Sequence, residues 1–323
     1  MLVLSGASAN ELFASACDAA PTNGIPVAPR GMPTVEVLGA HLRLTDPRRR
    51  LVDLPPVRVL NPAFAAAEAV WILSGSDAPW IHAYNQRLAD YADGGRLMGA
   101  YGPRLRRWCG PAGGVVDQLD QVRRLLAHDP ASRRAVVQLF DPGRDFQGHK
   151  DVPCTLGYRF YLRGGRLHMH TTMRSQDLWL GFCYDVFTAT VLQELLAGWL
   201  SVEVGEYHHQ VDSLHLYASD TSAAALLPAH VTPSPRMAPL AVAWHDFDAL
   251  LARLIGDGPV AEAGWSELAG VLRSYRSWKA GDRGQARAVA AATSGLLAGA
   301  LERWYDRLEW RGTLVGAAPS AGG

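Results

Sequence analysis

Alternation of apolar and polar residues along the chain predicts the strands of a sheet. Two alternating runs within 155–175 surround Gly164-Gly165 and predict a β-hairpin. Further segments with the character of strands are 35–46, 132–140 and 208–219. Helical and loop segments separate these strands, so the pattern predicts an α+β body.

Three segments between the strands have the pattern of helices. Residues 62–75 are apolar almost all round and stop at Gly75, which predicts a buried helix. Residues 116–130 show an amphipathic helical pattern that ends before a proline. Residues 184–200 predict a long apolar helix.

The first 34 residues are predicted to form a helix followed by a loop. The stretch 1–20 is mildly apolar, but it lacks a basic N-terminal region and Glu11 interrupts it. We therefore interpret it as a first helix and not as a signal peptide. Residues 21–34 are rich in proline and glycine and are predicted to be a loop.

The texture of the chain changes near residue 240. A proline-rich connector at 226–240 leads into segments of Ala, Leu and Arg character. We therefore predict a catalytic body over 1–240, a helical C-terminal region over 241–312 packed on it, and a disordered tail over 313–323. The segments with a helical pattern in the C-terminal region are 246–258, 265–281 and 286–308.

Composition excludes several classes of function. The 323-residue chain is 48% hydrophobic and 19% charged, as in ordinary soluble globular proteins. Its formal net charge of zero provides no basic field for non-specific nucleic-acid binding, so no DNA partner is expected. No apolar run reaches the roughly 18–20 residues of a membrane span, so no membrane partner is expected.

Four cysteines, Cys17, Cys109, Cys154 and Cys183, lie far apart without CxxC spacing. This spacing argues against a zinc site or a disulfide framework and fits a reducing cytoplasm, so we expect no metal and a cytoplasmic location. Each cysteine is then a buried small hydrophobe or a nucleophile. Cys154 follows Pro153 at a predicted loop-to-strand junction, where its side chain can face a cavity.

Arginines are the candidates for the positive charge that a thiolate needs. Arg30 lies in the predicted loop, Arg133 and Arg134 open a predicted strand, and Arg174 ends the predicted hairpin beside Ser175. Arginine next to serine offers a fork of N–H groups plus a hydroxyl, which suits a phosphate. The alternative for each arginine is a solvated surface position.

Two carboxylates lie in apolar helical segments. Glu68 is in the middle of the predicted buried helix, where it is either one half of a buried ion pair or an acid/base group of raised pKa. Asp185 is either the N-cap of the long apolar helix or an acceptor aimed at an amino group of a ligand. His215 and Tyr217 alternate on one face of a strand, as core polar residues or as contacts to a sugar hydroxyl.

These segments together resemble thymidylate synthase and its close relatives, the pyrimidine-nucleotide hydroxymethylases. The similar segments run in collinear order from about residue 30 to 220. A single match of this kind is weak, but six in the same order are specific. In chain order they are RGMPTVEVLGAHLRL, AEAVWILSG, GAYG, DPASRRAVVQLF, VPCTLGYRFYLRGGRLHMHTTMRSQDLWLG and VDSLHLYASD.

The resemblance implies a thymidylate synthase-like fold, with a mixed β-sheet flanked by helices and a dimer formed through the sheet face. The C-terminal helices would be an extension of that fold. It also implies that Cys154 is the nucleophile that adds to C6 of a pyrimidine and makes C5 an enamine-like carbon. Glu68 would act as acid/base through water, and Tyr101 would lie close to the nucleophile and the C5 proton.

The same resemblance implies a phosphate clamp for a pyrimidine nucleoside monophosphate. Arg30, Arg174 and Ser175 would hold the phosphate from one subunit. Arg133 and Arg134 would reach the same phosphate from the neighbouring subunit, which implies an obligate homodimer.

Contacts to the ribose and to a folate are also implied. His215 and Tyr217 resemble the residues that bind the ribose 3′-hydroxyl. Asp177 resembles the carboxylate that meets the pterin of the folate. The one-carbon donor would be 5,10-methylenetetrahydrofolate as co-substrate.

Asp185 departs from the family pattern, because the members that use uracil have asparagine there. Uracil presents O4 as an acceptor and N3–H as a donor, which an amide complements. Cytosine presents an N4 amino donor and an N3 acceptor; a carboxylate accepts from N4, and a protonated one can also donate to N3. A mismatched base would leave buried polar groups unpaired, so Asp185 is expected to select a cytidylate.

A second departure concerns the product. Leu88 and Tyr91 occupy positions where members that make a methyl group carry shielding tryptophan, so water is expected to quench the exocyclic methylene. The product would be hydroxymethyl, with tetrahydrofolate released, and Leu88 is placed with the folate-binding residues. The C-terminal segment that closes over the folate in the family is not recognisable. Thr155 stands where the family often has a histidine, and no physical reason for that change is apparent.

The sequence therefore predicts a folate-dependent 5-hydroxymethyltransferase acting on CMP or dCMP. Methylation of dUMP, as in a true thymidylate synthase, is the alternative within the family. A non-catalytic nucleotide- or RNA-binding regulator of the same fold is the alternative of another class. Whether such an enzyme serves nucleoside-antibiotic biosynthesis or DNA modification stays open, as does the choice between ribose and deoxyribose.

Overall fold

The computed structural model describes residues 1–110 and 113–316, and the side chains up to residue 310. An eight-stranded mixed sheet forms its centre, in the order β1-β3-β10-β8-β7-β6, with β2 on β3 and β9 on β10. Strands β4 and β5 form a separate pair. The strands are β1 (Leu2–Gly6), β2 (Ile25–Val27), β3 (Thr34–Leu44), β4 (Trp108–Cys109), β5 (Val115–Val116), β6 (Val136–Gln138), β7 (Thr155–Arg163), β8 (Arg166–Met173), β9 (Gln176–Asp177) and β10 (Glu203–Tyr217).

Helices cover one face of the sheet and build the C-terminal region. Helices α1 and α6 pack on the sheet, α2 packs on α6, and α9 and α11 pack on α2. The helices are α1 (Ala9–Asn23), α2 (Pro62–Leu73), α3 (Tyr101–Arg106), α4 (Gln118–His128), α5 (Pro142–Asp145), α6 (Gly181–Trp199), α7 (Ala218–Ala224), α8 (Trp244–Ile255), α9 (Trp265–Lys279), α10 (Arg283–Ala292) and α11 (Leu296–Gly316).

The mixed sheet flanked by helices is confirmed. Strand β10 pairs parallel with β8 and antiparallel with β3, and β7 and β8 form the predicted hairpin. The predicted helices within 62–75, 116–130 and 184–200 are α2, α4 and α6. Among the described helices, none is both long enough and apolar enough to cross a lipid bilayer.

The two faces of the sheet differ in polarity. Core-facing residues such as Leu42, Phe160 and Met169 are fully buried under the helices. The residues between them, including His41 and Arg159, are half-buried and polar. The period-two pattern of the strands therefore places an apolar layer under α1 and α6 and a polar layer on the opposite face.

Three predictions at the ends of elements were wrong. Residues 2–6 form strand β1, and α1 begins only at Ala9, where the Ser8 hydroxyl accepts a hydrogen bond from Glu11 N. The predicted loop at 21–34 contains the end of α1 and strand β2. The single helical segment predicted at 286–308 is two helices, because Gly295 has φ +137° and interrupts it.

The predicted disordered tail at 313–323 overlaps the last helix. Helix α11 runs to Gly316, so residues 313–316 are helical. Residues 317–323 lie outside the described residues.

Candidate active site

The hairpin places Arg174 beside Cys154. Cys154 directly precedes β7, Arg174 directly follows β8, and the Arg174 backbone N–H donates to Cys154 O at 2.9 Å. The Arg174 guanidinium donates from Nε to Pro153 O at 2.9 Å and from Nη2 to Val152 O at 3.0 Å. These bonds use two of the five guanidinium N–H groups, so others are left for a ligand.

The thiol of Cys154 is half-buried and its pKa is raised. Burial is the main cause, and the negative charges of Asp185 and Asp151 act in the same direction. Arg174 is the strongest opposing influence, with a smaller one from Arg30. The arginines expected to activate the cysteine are therefore present, but burial outweighs them, and the free protein carries a thiol at neutral pH.

Arg30 approaches the site from the loop before β3. Its backbone has φ +55° and ψ +28°, a left-handed conformation that non-glycine residues seldom adopt. Its exposed side chain hydrogen-bonds the Tyr217 side chain and faces Cys154 electrostatically. Backbone strain of this kind often accompanies a functional position, and Arg30 acts on the Cys154 thiol from this loop.

Asp185 lies inside α6 and is not its N-cap. The helix begins at Gly181 with Leu180 at the cap, and Asp185 comes one turn later. The Asp185 Oδ2 atom accepts a hydrogen bond from Gln176 Nε2 at 2.9 Å. Burial raises the pKa of Asp185 to about 6, the hydrogen bond from Gln176 opposes this, and Asp177 adds to it. Asp185 is therefore mostly ionised at neutral pH and available as an acceptor.

Glu68 projects from α2 toward Asp185. No hydrogen bond or cation among the described residues acts on Glu68, and the charged group that influences it is Asp185, of the same sign, so the alternative of a buried ion pair is wrong. Burial raises the pKa of Glu68 to about 8, with Asp185 contributing in the same direction. A carboxyl group that is protonated near neutral pH can donate and accept a proton, as an acid/base group must.

Tyr101, at the start of α3, closes the site on the side of the nucleophile. Its hydroxyl accepts a hydrogen bond from Thr155 N at 3.1 Å, directly after Cys154 in the chain. Burial raises the pKa of Tyr101 well above its ordinary value, and Asp185 and Cys154 add to this. Tyr101 is therefore a neutral hydroxyl that can donate into the site.

A small cavity is bordered by Tyr101 and Asp185. The cavity volume that a water molecule can enter is about 10 Å³, enough for about one water. The Thr188 hydroxyl in its wall is buried and has no protein partner among the described residues. The lining residues are Ile72, Tyr101, Thr155, Tyr158, Thr171, Asp185, Thr188 and Ala189.

Asp177, His215 and Tyr217 form a second group along β9 and β10. The Asp177 Oδ1 atom accepts hydrogen bonds from Trp179 N at 2.8 Å and Leu180 N at 3.2 Å, so it shapes the turn into α6. His215 is the pairing partner of Asp177 across the strands. The rings of His215 and Tyr217 meet edge to face with centroids 5.2 Å apart. The hydrogen bonds of this turn use Oδ1 and not Oδ2 of Asp177.

Other predicted residues are not brought into this group. Arg133 and Arg134 are exposed and precede β6, which pairs antiparallel with β7, so they lie toward the opposite end of β7 from Cys154. Ser175 is half-buried in the connection between β8 and β9. Leu88 lies in a 3-10 turn, Gln86–Tyr91, and packs against the hydrophobic core.

Comparison with known proteins identifies the family. The model of the thymidylate synthase family matches residues 13–246, which is most of the chain. The chain belongs to the thymidylate synthase family. It is similar to a deoxyuridylate hydroxymethyltransferase of Bacillus phage SP01, with 35% identity over 233 residues. The match covers 69% of this chain and 61% of the length of the phage protein.

Several residues of the thymidylate synthase-like site were missed by the sequence reasoning. Gln176 holds Asp185, and behind it lie His209 and Tyr207 on β10. A signal was available in the sequence. Tyr207 and His209 occupy core-facing positions of β10, and the other core-facing positions of that strand carry glycine or apolar residues. Polar residues at core positions need partners, and these two have them.

A cluster of two histidines and a glutamate lies on the polar face of the sheet. His168, Glu206 and His208 bring one ligand-type atom each within 4.8 Å of the others. His168 Nδ1 already accepts from Glu206 N at 3.2 Å, and His208 Nδ1 bonds His41 Nε2 at 3.0 Å. These bonds use Nδ1 of each ring, and Nε2 of His208 lies 3.5 Å from Glu206 Oε2, so polar contacts within the cluster account for the proximity of its side chains.

Proposed function

We propose that the protein is a cytidylate 5-hydroxymethyltransferase that uses 5,10-methylenetetrahydrofolate as one-carbon donor. The observation that carries this proposal is Asp185: a carboxylate, held by Gln176, beside Tyr101 and Cys154. An ionised carboxylate accepts a hydrogen bond from the N4 amino group of cytosine, whereas it faces the O4 acceptor of uracil unfavourably.

The residues of the site supply the chemistry at the base. Cys154 Sγ forms a bond to C6 once its proton has left, and C5 then carries the electron pair that attacks the one-carbon unit. The folate supplies that unit at the oxidation level of formaldehyde and leaves as tetrahydrofolate. After loss of the C5 proton, water adds to the exocyclic methylene and the Cys154–C6 bond breaks. Glu68 and Tyr101 are placed to carry protons in these steps.

The phosphate of the nucleotide would bind to Arg30, Arg174 and Ser175. Arg174 keeps guanidinium N–H groups free after fixing the loop of Cys154. Arg133 and Arg134 are exposed on the same chain, which suits a role in the site of a second subunit. We propose a homodimer through the polar face of the sheet, so that each phosphate is held by both subunits.

The folate would contact Asp177 and the segment of Leu88. Asp177 Oδ2 is outside the hydrogen bonds of the turn and can accept from N–H groups of a pterin. The absence of tryptophan at Leu88 and Tyr91 supports access of water to the methylene carbon. The phage relative, a hydroxymethyltransferase by name, supports the same outcome.

A second candidate is hydroxymethylation of dUMP. It is favoured by the phage relative, whose name gives deoxyuridylate as the substrate. Asp185 opposes it, since an ionised carboxylate lacks the donor that O4 of uracil needs. Both candidates give a hydroxymethyl product, so the base decides between them.

The experiment is product analysis by mass spectrometry. The protein is incubated with methylenetetrahydrofolate and, separately, with dCMP, CMP and dUMP, while absorbance at about 340 nm reports dihydrofolate. Our proposal predicts a gain of one hydroxymethyl group on a cytidylate without a rise in absorbance. A methyl product with dihydrofolate would show a true synthase. Release of tritium from C5 distinguishes both from a regulator that only binds nucleotides.

A further inference from the structure

A chain of hydrogen bonds runs through the core to Asp185. Gln176 Nε2 donates to Asp185 Oδ2 at 2.9 Å, and Gln176 Oε1 lies 2.9 Å from His209 Nε2. His209 Nδ1 lies 2.8 Å from the Tyr207 hydroxyl, which lies 2.9 Å from Thr171 Oγ1. The five residues belong to α6, β9, β10 and β8, so the chain crosses four elements.

The chemistry of the groups fixes the direction of these bonds. The amide oxygen of Gln176 can only accept, so His209 must carry its proton on Nε2 and donate it. Nδ1 of a neutral His209 is then an acceptor, which the Tyr207 hydroxyl can satisfy. Burial lowers the pKa of His209 to about 3, so the ring stays neutral throughout the working range of pH. The Tyr207 hydroxyl lies within donating distance of both Thr171 Oγ1 and His209 Nδ1 and has one hydrogen to give. The donors of His209 and Gln176 point toward Asp185.

Burial makes this arrangement rigid. Gln176 is 2% exposed, His209 1% and Tyr207 0%. An amide reversed about its last bond would set its oxygen against Asp185 Oδ2 and its NH₂ against the His209 donor. The contact with Asp185 would be unfavourable in a water-free interior, because ionised Asp185 has no hydrogen to donate, whereas His209 could meet the reversed amide by carrying its proton on Nδ1. Gln176 therefore has one stable orientation while Asp185 is ionised.

We propose that Gln176, backed by His209 and Tyr207, is a positioning residue for Asp185. It holds Oδ2 as an acceptor and leaves Oδ1 to receive the exocyclic amino group of a cytosine base. This inference rests on the proposed function, because it explains how one carboxylate is kept in the form that distinguishes cytosine from uracil. A glutamine two residues after Arg174 thereby becomes a determinant of base specificity.

The pH dependence of nucleotide binding follows from the state of Asp185. Because Gln176 donates to Oδ2, a proton on Asp185 would sit on Oδ1. Oδ1 then opposes the N4 amino group of cytosine, donor against donor, and can instead donate to O4 of uracil. Removal of the donor of Gln176 raises the pKa of Asp185 further, so cytidylate binding is lost at a higher pH than in the wild type. The titratable groups that face Asp185 from the surrounding elements are Glu68, Tyr101, Cys154, Tyr158, Asp177 and Tyr207.

The test is the pH profile of nucleotide affinity in Gln176→Leu. Dissociation constants for dCMP and dUMP are measured without folate between about pH 5 and pH 8.5. We expect the midpoint at which dCMP affinity falls to move up by about one pH unit, the equivalent of one charge-assisted hydrogen bond. Near pH 6.5 this is a loss of about threefold for dCMP, which approaches tenfold near pH 5, with dUMP unchanged or improved.

Two control variants separate positioning from general damage to the core. Gln193→Leu removes a different buried glutamine, which lies in α6 and donates to Leu167 O at 2.9 Å, away from Asp185. It should lower stability and leave the midpoint unchanged. Gln176→Leu added to Asp185→Asn should also leave the profile unchanged, because an amide side chain at this position does not titrate. The comparison is between Asp185→Asn and the double variant. Both keep Glu68, so any effect of Glu68 titration on the pH profile cancels.

His209→Phe tests the same chain of hydrogen bonds at its next residue. It leaves Gln176 in place without its partner, so the midpoint should move in the same direction by a smaller amount. A folded Gln176→Leu protein whose midpoint equals that of the wild type would overturn the proposal. A wild type that prefers dUMP at every pH overturns the reading of cytosine by Asp185, while the midpoint shift still decides whether Gln176 positions it.

Discussion

Burial sets the protonation of the ionisable groups around Cys154. The pKa of the thiol is raised, that of Glu68 is raised to about 8, and that of Asp185 to about 6. At neutral pH the site therefore holds a thiol, a carboxylic acid and a mostly ionised carboxylate. Two carboxyl groups that face each other take different protonation states, which permits one to move protons while the other reads the base.

The raised pKa of Cys154 predicts slow alkylation at neutral pH. Only the thiolate reacts with iodoacetamide, so the rate at pH 7 should fall below that of an unperturbed thiol and rise as pH increases through the raised pKa. Arg174→Met should slow the reaction further, because Arg174 is the main influence that lowers this pKa. Peptide mapping by mass spectrometry follows Cys154, with the exposed Cys109 as internal control.

Faster alkylation of Cys154 than of Cys109 at pH 7 would contradict this account. It would show that the arginines outweigh burial before a nucleotide arrives.

Glu68→Gln is predicted to lower turnover and to raise stability above about pH 5. Turnover should fall by about 10²–10⁴-fold, as expected for loss of a general acid or base, with little change in nucleotide affinity. The folded pKa of about 8 exceeds the unfolded value, so the folded protein keeps a proton that the unfolded chain releases, and wild-type stability declines from about pH 4.5 to pH 8. The variant lacks this decline.

The measurement is the melting temperature of both proteins between about pH 5 and pH 9. The advantage of Glu68→Gln should grow to pH 8 and then level off, at about 2–4 °C for each kcal/mol relieved. An advantage that is constant with pH would mean that Glu68 is ionised in the folded protein.

Among the elements, α6 connects the site to the C-terminal region. Asp185 lies near its N-terminal end, and Glu194 lies near its other end, in a buried ion pair with Arg50. Glu194 Oε1 also accepts a hydrogen bond from Leu240 N at 3.1 Å, and Leu240 is the last residue of the proline-rich connector at 226–240. The helix that carries the base-reading residue is therefore fixed at its far end by charge.

Glu194→Ala is predicted to destabilise the protein by about 3–5 kcal/mol, because it leaves Arg50 buried without its partner. The double variant Arg50→Met/Glu194→Leu should recover much of this loss, since no buried charge is left. Chemical denaturation measures both free energies. A double variant no more stable than Glu194→Ala would show that the hydrogen bond to Leu240 N, and not the charge pair, is what matters.

The elements that the sequence predicted best are those with strong local signals. Gly164-Gly165 forms the turn of the β7–β8 hairpin with both residues at positive φ, and the apolar run of α2 is buried on nearly all sides. The failures lie where local signals conflict with tertiary contacts. Strand β1 exists because it pairs in parallel with β3, a distant part of the chain, and α1 continues through Pro21 because its apolar face packs on the sheet.

At the scale of the whole molecule, the polar face of the sheet is the candidate dimer interface. The exposed Arg133 and Arg134 are separate from the group around Cys154, and their predicted role in phosphate binding requires a second subunit. A site completed by a partner makes activity dependent on assembly.

Mixed dimers test this arrangement. Cys154→Ala and Arg133→Ala/Arg134→Ala carry lesions that lie in different subunits of one shared site, so each alone should be inactive or severely impaired. After co-expression, half of the dimers are mixed and each has one intact site, which predicts about a quarter of wild-type activity. Absence of recovery in mixed dimers isolated with two affinity tags would place both arginines in the site of their own chain, or outside any site.

The site was predictable to the extent that the family's motifs are local. Cys154 and Arg174 lie in one matching segment and Asp185 lies just after its end, and the structure brings them together with Glu68 and Tyr101. The chain behind Asp185 was not predictable in this way. Gln176, His209 and Tyr207 meet only because β9 and β10 pair side by side, and no single segment reveals that contact.

The central claim is that Asp185 selects cytosine, and a competition experiment tests it most directly. Wild type and Asp185→Asn are each given equal dCMP and dUMP with methylenetetrahydrofolate, and both hydroxymethylated products are quantified by mass spectrometry. The account predicts that the wild type modifies dCMP with at least about 100-fold preference and that Asp185→Asn shifts the preference toward dUMP. A wild type that modifies dUMP preferentially, or a preference unchanged by Asp185→Asn, would contradict it.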